Sequence, residues 1–577
     1  MLPNIRRLYF YIITLVSLET VLWGGISAAR LLLAGEVFGG SASRLAGVLS
    51  LALIGAPLFL LHWFLMQRRL RQDPEERSTG LWALFLYLTL LLTLVPVVQN
   101  VLALVDRLWL GIFHIATRRA LLGGEQTTAG NLAAIALNGL AAFYFFRVLR
   151  SAWQPAPLGN DFGRVRWRYR YIWLVYSLAL ALLGAQQTLE AFLRYPAQSA
   201  AGWSARLPNG LALLLVGAPL CYFIDHITRT SLQDPDERKT LLHLRMLYIW
   251  VFASGVVVLA SAVMVLYGVL NVAYGDRPAL ANFLFQISRP LTAGIVLAVI
   301  ASYYGRSLRA VAAAERSTLP DSTTPTIPVS SARRETRRRL VLPQRAGMRR
   351  IFFYGFALLG LAAVLFGLHL ALGLLLDWTL SPATISDIDM RQSLAAAISL
   401  LAIGAPVWVV AWRPMQAEAA PEGEPGDVAR RSSIRRSYFS LVLTAGIAGG
   451  LFSLGLLLYQ VLRALFGDTP GNILLAALEP LKALLLFAVL LAYHGLALRA
   501  DNRLLERSLA RRHAQFPVLV LAPDDEISAT PEVQSGDGAE KSLSGFHESG
   551  GFAAAMIAAL QHQAPAMPVA VHHYSLG

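Results

Sequence analysis

The run LWALFLYLTLLLTLVPVV occupies residues 81–98 without a single charged side chain. As a helix it reaches most of the way across a hydrocarbon core of about 30 Å. Eleven further apolar runs, with at most two charged residues each, are also long enough, giving twelve in all: roughly 8–33, 46–66, 80–105, 130–149, 169–193, 209–228, 243–274, 281–304, 351–376, 393–412, 438–466 and 473–498. Only 15% of the 577 residues are charged and 56% are hydrophobic, whereas soluble domains carry about a quarter charged residues. A chain so written cannot bury its apolar surface in one water-soluble core. The expected class is an all-α polytopic membrane protein with about twelve transmembrane helices.

The formal charge of +15 is distributed unevenly along this frame. With the N-terminus placed inside, the inside loops hold QRRLRQDPEERS, RSAWQPAPLGNDFGRVRWRYR, TRTSLQDPDERKT, RRETRRRLVLPQRAGMRR and RRSSIRRS, while the outside loops carry far fewer cations. Excess Lys and Arg on the cytoplasmic side is the usual orientation signal. The sequence therefore predicts a multi-pass protein of the cell (plasma) membrane with N- and C-termini cytoplasmic. The same reasoning turns the charge away from nucleic acid. Cys221 is the sole cysteine, so no intramolecular disulfide or multi-thiolate metal site is possible. The first apolar run is expected to stay in the protein, because its pattern returns twice further on.

That return is the second constraint. RRLYFYIITLVSLETVLWG, RWRYRYIWLVYSLALALLG from Arg166 and RRIFFYGFALLGLAAVLFG from Arg349 superpose, with Gly24 on Gly184 and Gly367. A helix containing Gly-Ala-Pro follows each, carrying Pro57, Pro219 and Pro406. A fourth helix then ends in FYFFRVLR, ASYYGRSLR or LAYHGLALR. Three parallel four-helix repeats result: module 1 over 1–152, module 2 over 160–312 and module 3 over 345–502. Proline inside a membrane helix frees a carbonyl and bends the rod. The preceding Gly-Ala admits a neighbouring backbone. The motif is thus expected to mark a kinked, closely packed second helix. QDPEER and QDPDER are expected to be helix-breaking turns, with Asp73 or Asp234 capping the next turn.

The opening Arg-Arg-x-Tyr-x-Tyr of RRLYFY, the long aliphatic run and the Trp-Gly of LETVLWG resemble a bacterial integral-membrane family known as domain of unknown function 5671. The resemblance covers each module, in degenerating copies, and hence most of 1–502. It implies a helical membrane fold and carries no activity, cofactor or site residue with it.

Ionisable groups inside a membrane point to function because an unpaired charge there costs several kcal/mol. Glu19 is the acid placed deepest in a span, and Gln186 and Gln187 are the deepest polar pair. Asp106 and Glu190 fall toward the outer ends, where water and headgroups are expected to reach them. Glu479 and Lys482 stand three apart and can pair. No acid recurs in all three modules: Ala179 and Ala362 occupy the place of Glu19. A hydrogen-bonded Glu19, with Gln186 as a suitable partner, is the expectation. No catalytic constellation and no cofactor or metal motif is recognisable, which disfavours an enzyme.

Residues 313–344 read as a disordered, basic cytoplasmic linker, and the arginines of 333–350 suit anionic headgroups of the bilayer. Residues 513–577 read as a cytoplasmic tail: FPVLVLAPDDE as a strand, SGGFAAAMIAALQHQ as a helix and MPVAVHH as a second strand, a small βαβ-like segment. The functional expectation is a non-enzymatic membrane scaffold or sensor with unknown protein partners. The alternative is a transporter or channel with a polar path through the bundle.

Overall fold

The computed structural model describes residues 2–33, 42–116, 127–153, 161–199, 202–233, 242–275, 278–317, 332–380, 386–467, 473–515, 518–523 and 569–574. The chain divides into two compact units, Met1–Thr326 and Ile327–Gly577. Twelve of its helices are long and apolar enough to cross a membrane, in agreement with the twelve apolar runs.

The first unit holds modules 1 and 2. Module 1 consists of α1 (Leu2–Leu33), α2 (Ala42–Gln72), α3 (Gly80–Ile112) and α4 (Thr128–Trp153). Module 2 consists of α5 (Asp161–Gln198), α6 (Arg206–Ser231), α7 (Leu242–Tyr274) and α8 (Leu280–Ser317). Helices pack in sequential pairs, α1 on α2, α3 on α4, α5 on α6 and α7 on α8. The first helix of each module also meets the fourth. Within this unit α3 lies against both α5 and α6, which joins the two modules.

The second unit holds module 3: α9 (Ala332–Leu380), α10 (Asp387–Ala419), α12 (Ser433–Leu465) and α13 (Ile473–Gln515). A short helix, α11 (Glu424–Arg430), fills the connection between α10 and α12. Helix α9 takes in 332–344 of the stretch expected to be disordered, consistent with the strong helix propensity of its Arg, Glu and Leu residues. Residues 318–331 of that stretch lie outside the described residues. Strands β1 (Val518–Pro523) and β2 (Val569–Tyr574) pair in parallel, Val518 opposite Val569. The helix expected between them also lies outside the described residues, so the βαβ reading is not carried by the structure.

The Gly-Ala-Pro helices show why small residues recur. A methyl group added to Gly55 would stand 3.0 Å from the Thr20 methyl; on Gly217 it would stand 2.7 Å from the Ala181 amide nitrogen, and on Gly404 2.7 Å from the Ala363 Cβ. Thr20, Leu180 and Ala363 occupy the same repeat position, four residues before Gly24, Gly184 and Gly367. Those three glycines in turn meet Leu51, Leu213 with Leu214, and Leu400 with Leu401. Each hairpin is therefore a reciprocal interlock of one glycine per helix, the close approach by which membrane helices gain packing energy without a hydrophobic drive. Pro57, Pro219 and Pro406 all lie inside the second helix of their module, two residues beyond the interlocking glycine.

At the end where α1 begins, called the near end below, an aromatic cluster fills module 1. Tyr11, Trp63, Trp82, Phe85 and Phe145 are all buried there. Module 3 repeats it with Tyr354, Trp412, Tyr438 and Phe439 at the end where its own first spanning segment begins. Module 2 carries a smaller version around Leu178, Leu247 and Tyr304. Buried aromatic pairs of this kind each add about 0.5–1.5 kcal/mol beyond area burial.

Candidate functional site

Four constellations of polar groups sit among these apolar helices. The first lies at the far end of module 2. Glu190 on α5 is fully buried. Its carboxylate accepts from Gln186 Nε2 at 2.8 Å, pairs with Arg194 Nη2 at 2.9 Å and accepts from Arg206 Nη1 at 3.2 Å. Arg194 also donates to Ser288 Oγ at 2.8 Å and lies over the Phe285 ring at 4.6 Å. Gln187 Oε1 accepts from Asn209 Nδ2 at 2.5 Å. Three helices are thereby tied: α5, α6 and α8. Glu190 is not open to water as its terminal position suggests; two arginines from the same end close over it. Gln186 serves Glu190 and not Glu19.

The second constellation is at the near end of module 3 and was not legible as a site. Arg435 on α12 is 1% exposed. It grips Asp501 on α13 with both ends of its fork, Nε to Oδ2 at 2.6 Å and Nη2 to Oδ1 at 3.0 Å. Its remaining nitrogen donates to Tyr354 Oη on α9 at 2.9 Å and to the Met415 carbonyl on α10 at 3.1 Å. Phe439 receives the guanidinium at 5.1 Å. Arginine alone supplies five donors in a rigid plane, which is why one side chain joins four helices here. Beside it, Trp412 Nε1 donates to Tyr493 Oη at 2.7 Å, and His494 meets Tyr438 Oη at 3.3 Å. A second buried pair, Asp427 with Arg430, ties α11 to the α10 terminus, Arg430 donating to the Ala419 carbonyl at 2.5 Å and to the Pro421 carbonyl beyond it at 3.0 Å. Of the basic 333–350 cluster, Arg349 and Arg350 pair with Glu418 at 2.9 and 2.5 Å. The sequence marks Arg435 only as part of the basic run RRSSIRRS and of RRSYFS, which resembles the opening RRLYFY.

The third constellation is the far-end rim of module 3. Lys482 pairs with Glu479 at 2.7 Å, as their spacing allows. Both stand near a cavity of about 730 Å³ between α9, α12 and α13, which His369, Gln460 and Glu479 help to line.

The fourth lies in module 1. Glu19 on α1 is half-buried, and its Oε1 has no hydrogen-bond partner. Asp106 on α3 and Asn131 on α4 are fully buried, with the side-chain oxygens of both and the amide nitrogen of Asn131 unpartnered. Asp106, like Glu190, is more enclosed than its place near a helix end implies. At the near end the QDPEER turn forms a short 3-10 helix over Pro74–Ser78. Asp73 makes no side-chain cap there; Thr79 caps α3 instead, accepting from the Trp82 amide at 3.3 Å. Glu76 accepts from Tyr11 Oη at 3.1 Å beside Arg7 at 3.3 Å, and Asp73 stands 3.7 Å from the same arginine. The matching turn around Asp234 lies outside the described residues.

Twelve helices of membrane-spanning length and composition, in three four-helix repeats, define the class: a helical membrane-type protein built by triplication of one unit. The family described as domain of unknown function (DUF5671) matches it three times, over residues 7–140, 168–303 and 350–493. The matches cover more than half of the chain and coincide with the three modules. The chain belongs to this family. No curated protein and no solved structure matches it.

Proposed function

We propose that the chain is a multi-pass protein of the plasma membrane, with both termini cytoplasmic, that works as a non-enzymatic scaffold or sensor. One observation carries the reading. The charges buried deepest in modules 2 and 3 are closed on partners within their own module, Glu190 by Arg194 and Arg206, Arg435 by Asp501. A conducting path needs groups that exchange partners with a passing solute. A charge already held by a fixed opposite charge and several hydrogen bonds is committed to holding helices together. The basic segment 333–350 supports contact with anionic headgroups on the cytoplasmic side, although Arg349 and Arg350 are already engaged with Glu418. No nucleic acid or cofactor enters this reading.

A transporter is the second reading, and module 1 is what favours it. Glu19, Asp106 and Asn131 keep buried polar atoms without partners, as groups awaiting a proton or a cation would. Flux measurements in reconstituted vesicles separate the two. The scaffold reading expects no proton or solute flux above that of empty vesicles, in the parent and in Glu19→Gln and Asp106→Asn alike. A flux that either substitution abolishes, with helicity and elution volume unchanged, overturns it. Reporter fusions after residues 330 and 515 should both be active in the cytoplasm; activity outside at either refutes the orientation.

A further inference from the structure

The cavity of module 3 has a graded lining. On α12, Gln460 lies eight residues beyond Phe452, a rise of about 12 Å. On α13, which runs the opposite way, Glu479 precedes Phe487 by the same number of residues, and on α9 His369 lies seven beyond Ala362. His369, Gln460 and Glu479 therefore share one end; the Phe452 and Phe487 rings share the other with Ser453, whose hydroxyl is spent on the Gly449 carbonyl at 2.8 Å. The Phe487 ring is seated on Gly449, where an added methyl group would come within 2.5 Å of it. The volume, about 730 Å³, falls within the usual range of about 300–1,000 Å³ for ligand pockets.

The polar end has a defined chemistry. Lys482 and Glu479 neutralise one another, and the Lys482 ammonium is accommodated by Gly373, where an added methyl group would stand 2.5 Å away. That leaves no net charge to recruit a charged head. Gln460 Oε1 is a buried acceptor without a donor, a state that costs about 1–3 kcal/mol until a donor is supplied. We propose that this cavity binds a neutral, hydroxyl-bearing lipid of the diacylglycerol type, its hydroxyl donating to Gln460 Oε1 and its acyl chain lying toward Phe452 and Phe487. The assignment gives the sensor reading a ligand class and stands on the cavity alone.

The test uses the full-length protein in phosphatidylcholine nanodiscs with radiolabelled dioleoylglycerol. Saturable binding of one molecule per chain is expected, with phosphatidic acid competing no better than phosphatidylcholine. Dioleoylglycerol acetylated at its free hydroxyl should bind about tenfold more weakly, the loss expected for one buried hydrogen bond. Gln460→Leu should weaken dioleoylglycerol by the same factor and leave the acetylated lipid unchanged. Ala483→Trp should fill the cavity and abolish binding of both. Non-saturable uptake, or equal binding of the free and acetylated lipids by the parent protein, overturns the proposal. A flux in vesicles would refute the scaffold or sensor reading without altering lipid stoichiometry, so the two claims fail separately.

Discussion

Modules 1 and 3 build the same aromatic end from the same parts and then close it with charges of opposite sign. In both, a tryptophan eight residues after the Gly-Ala-Pro glycine donates to a tyrosine 81 residues further on, Trp63 to Tyr144 at 2.9 Å and Trp412 to Tyr493 at 2.7 Å. Both place a tyrosine of the first helix in the same aromatic cluster, Tyr11 against Trp82 and Phe85 and Tyr354 against Trp412. In module 1 that residue, Tyr11, donates to the Glu76 carboxylate; in module 3 its counterpart, Tyr354, accepts from the Arg435 guanidinium. A phenol hydroxyl can do either. The apolar frame is thus a fixed fitting, and the ion that seals it is interchangeable. Module 2 departs at the same point: Asp225 replaces the tryptophan and pairs with Arg229, which lies over Tyr303 at 5.4 Å.

The sharpest way to break the comparison is to remove the buried arginine. Arg435→Leu leaves Asp501 enclosed without its partner, a loss of about 3–5 kcal/mol for a buried pair cut on one side. Thermal unfolding in detergent should fall steeply, and adding Asp501→Leu should recover most of the loss. Equal damage from the single and double variants would show that the pair is not what seals module 3. Arg7→Leu in module 1 should cost under about 1 kcal/mol by the same assay, because Arg7 is partly exposed and Glu76 keeps Tyr11.

A smaller effect is expected at the interlocks. Gly217→Ala drives a methyl group into the backbone of α5 and should cost about 1–3 kcal/mol. Gly55→Ala meets only side chains, Thr20 at 3.0 Å and Val21 at 3.2 Å, and should cost less than half as much. A reversed order would mean that α1 and α2, not α5 and α6, form the more rigid hairpin. The smallest change is expected from Trp63→Phe and Trp412→Phe, each of which deletes one hydrogen bond worth about 1 kcal/mol. The two losses should match within about 0.5 kcal/mol, the scatter of independent sites. A clear difference would show that the shared tryptophan–tyrosine bond does unequal work in the two modules.

The helical frame was legible because it depends on properties local in sequence. Apolar length fixes a span, and Gly55, Gly217 and Gly404 announce a close approach through their small size alone. The polar partners were hidden because they are chosen across folds of the chain. Arg435 and Asp501 are 66 residues apart, and each sits just beyond an apolar run, where a reader of hydropathy ends the helix. Helices α12 and α13 instead continue past those limits, which turns two loop charges into a buried pair. The same holds for Glu190: nothing local marks Arg206, which reaches it across the α5–α6 connection. Gln186 was legible as deep and polar, yet its partner is set by a neighbour one turn away on its own helix. The short α11, with its buried Asp427, had no apolar run to betray it.

The interlocks join helices that follow one another in the chain, and this gives assembly an order in time. A hairpin such as α5 with α6 has all of its small-residue contacts in hand once its second helix has been made, while later helices are still being synthesised. Contacts close in sequence form early because little loop entropy stands in their way. Arg435 is different, since it touches α9, α10 and α13 at once and has no complete set of partners until the last helix arrives. The glycines therefore set the hairpins one by one as the ribosome delivers them, and the buried arginine acts as the final bolt.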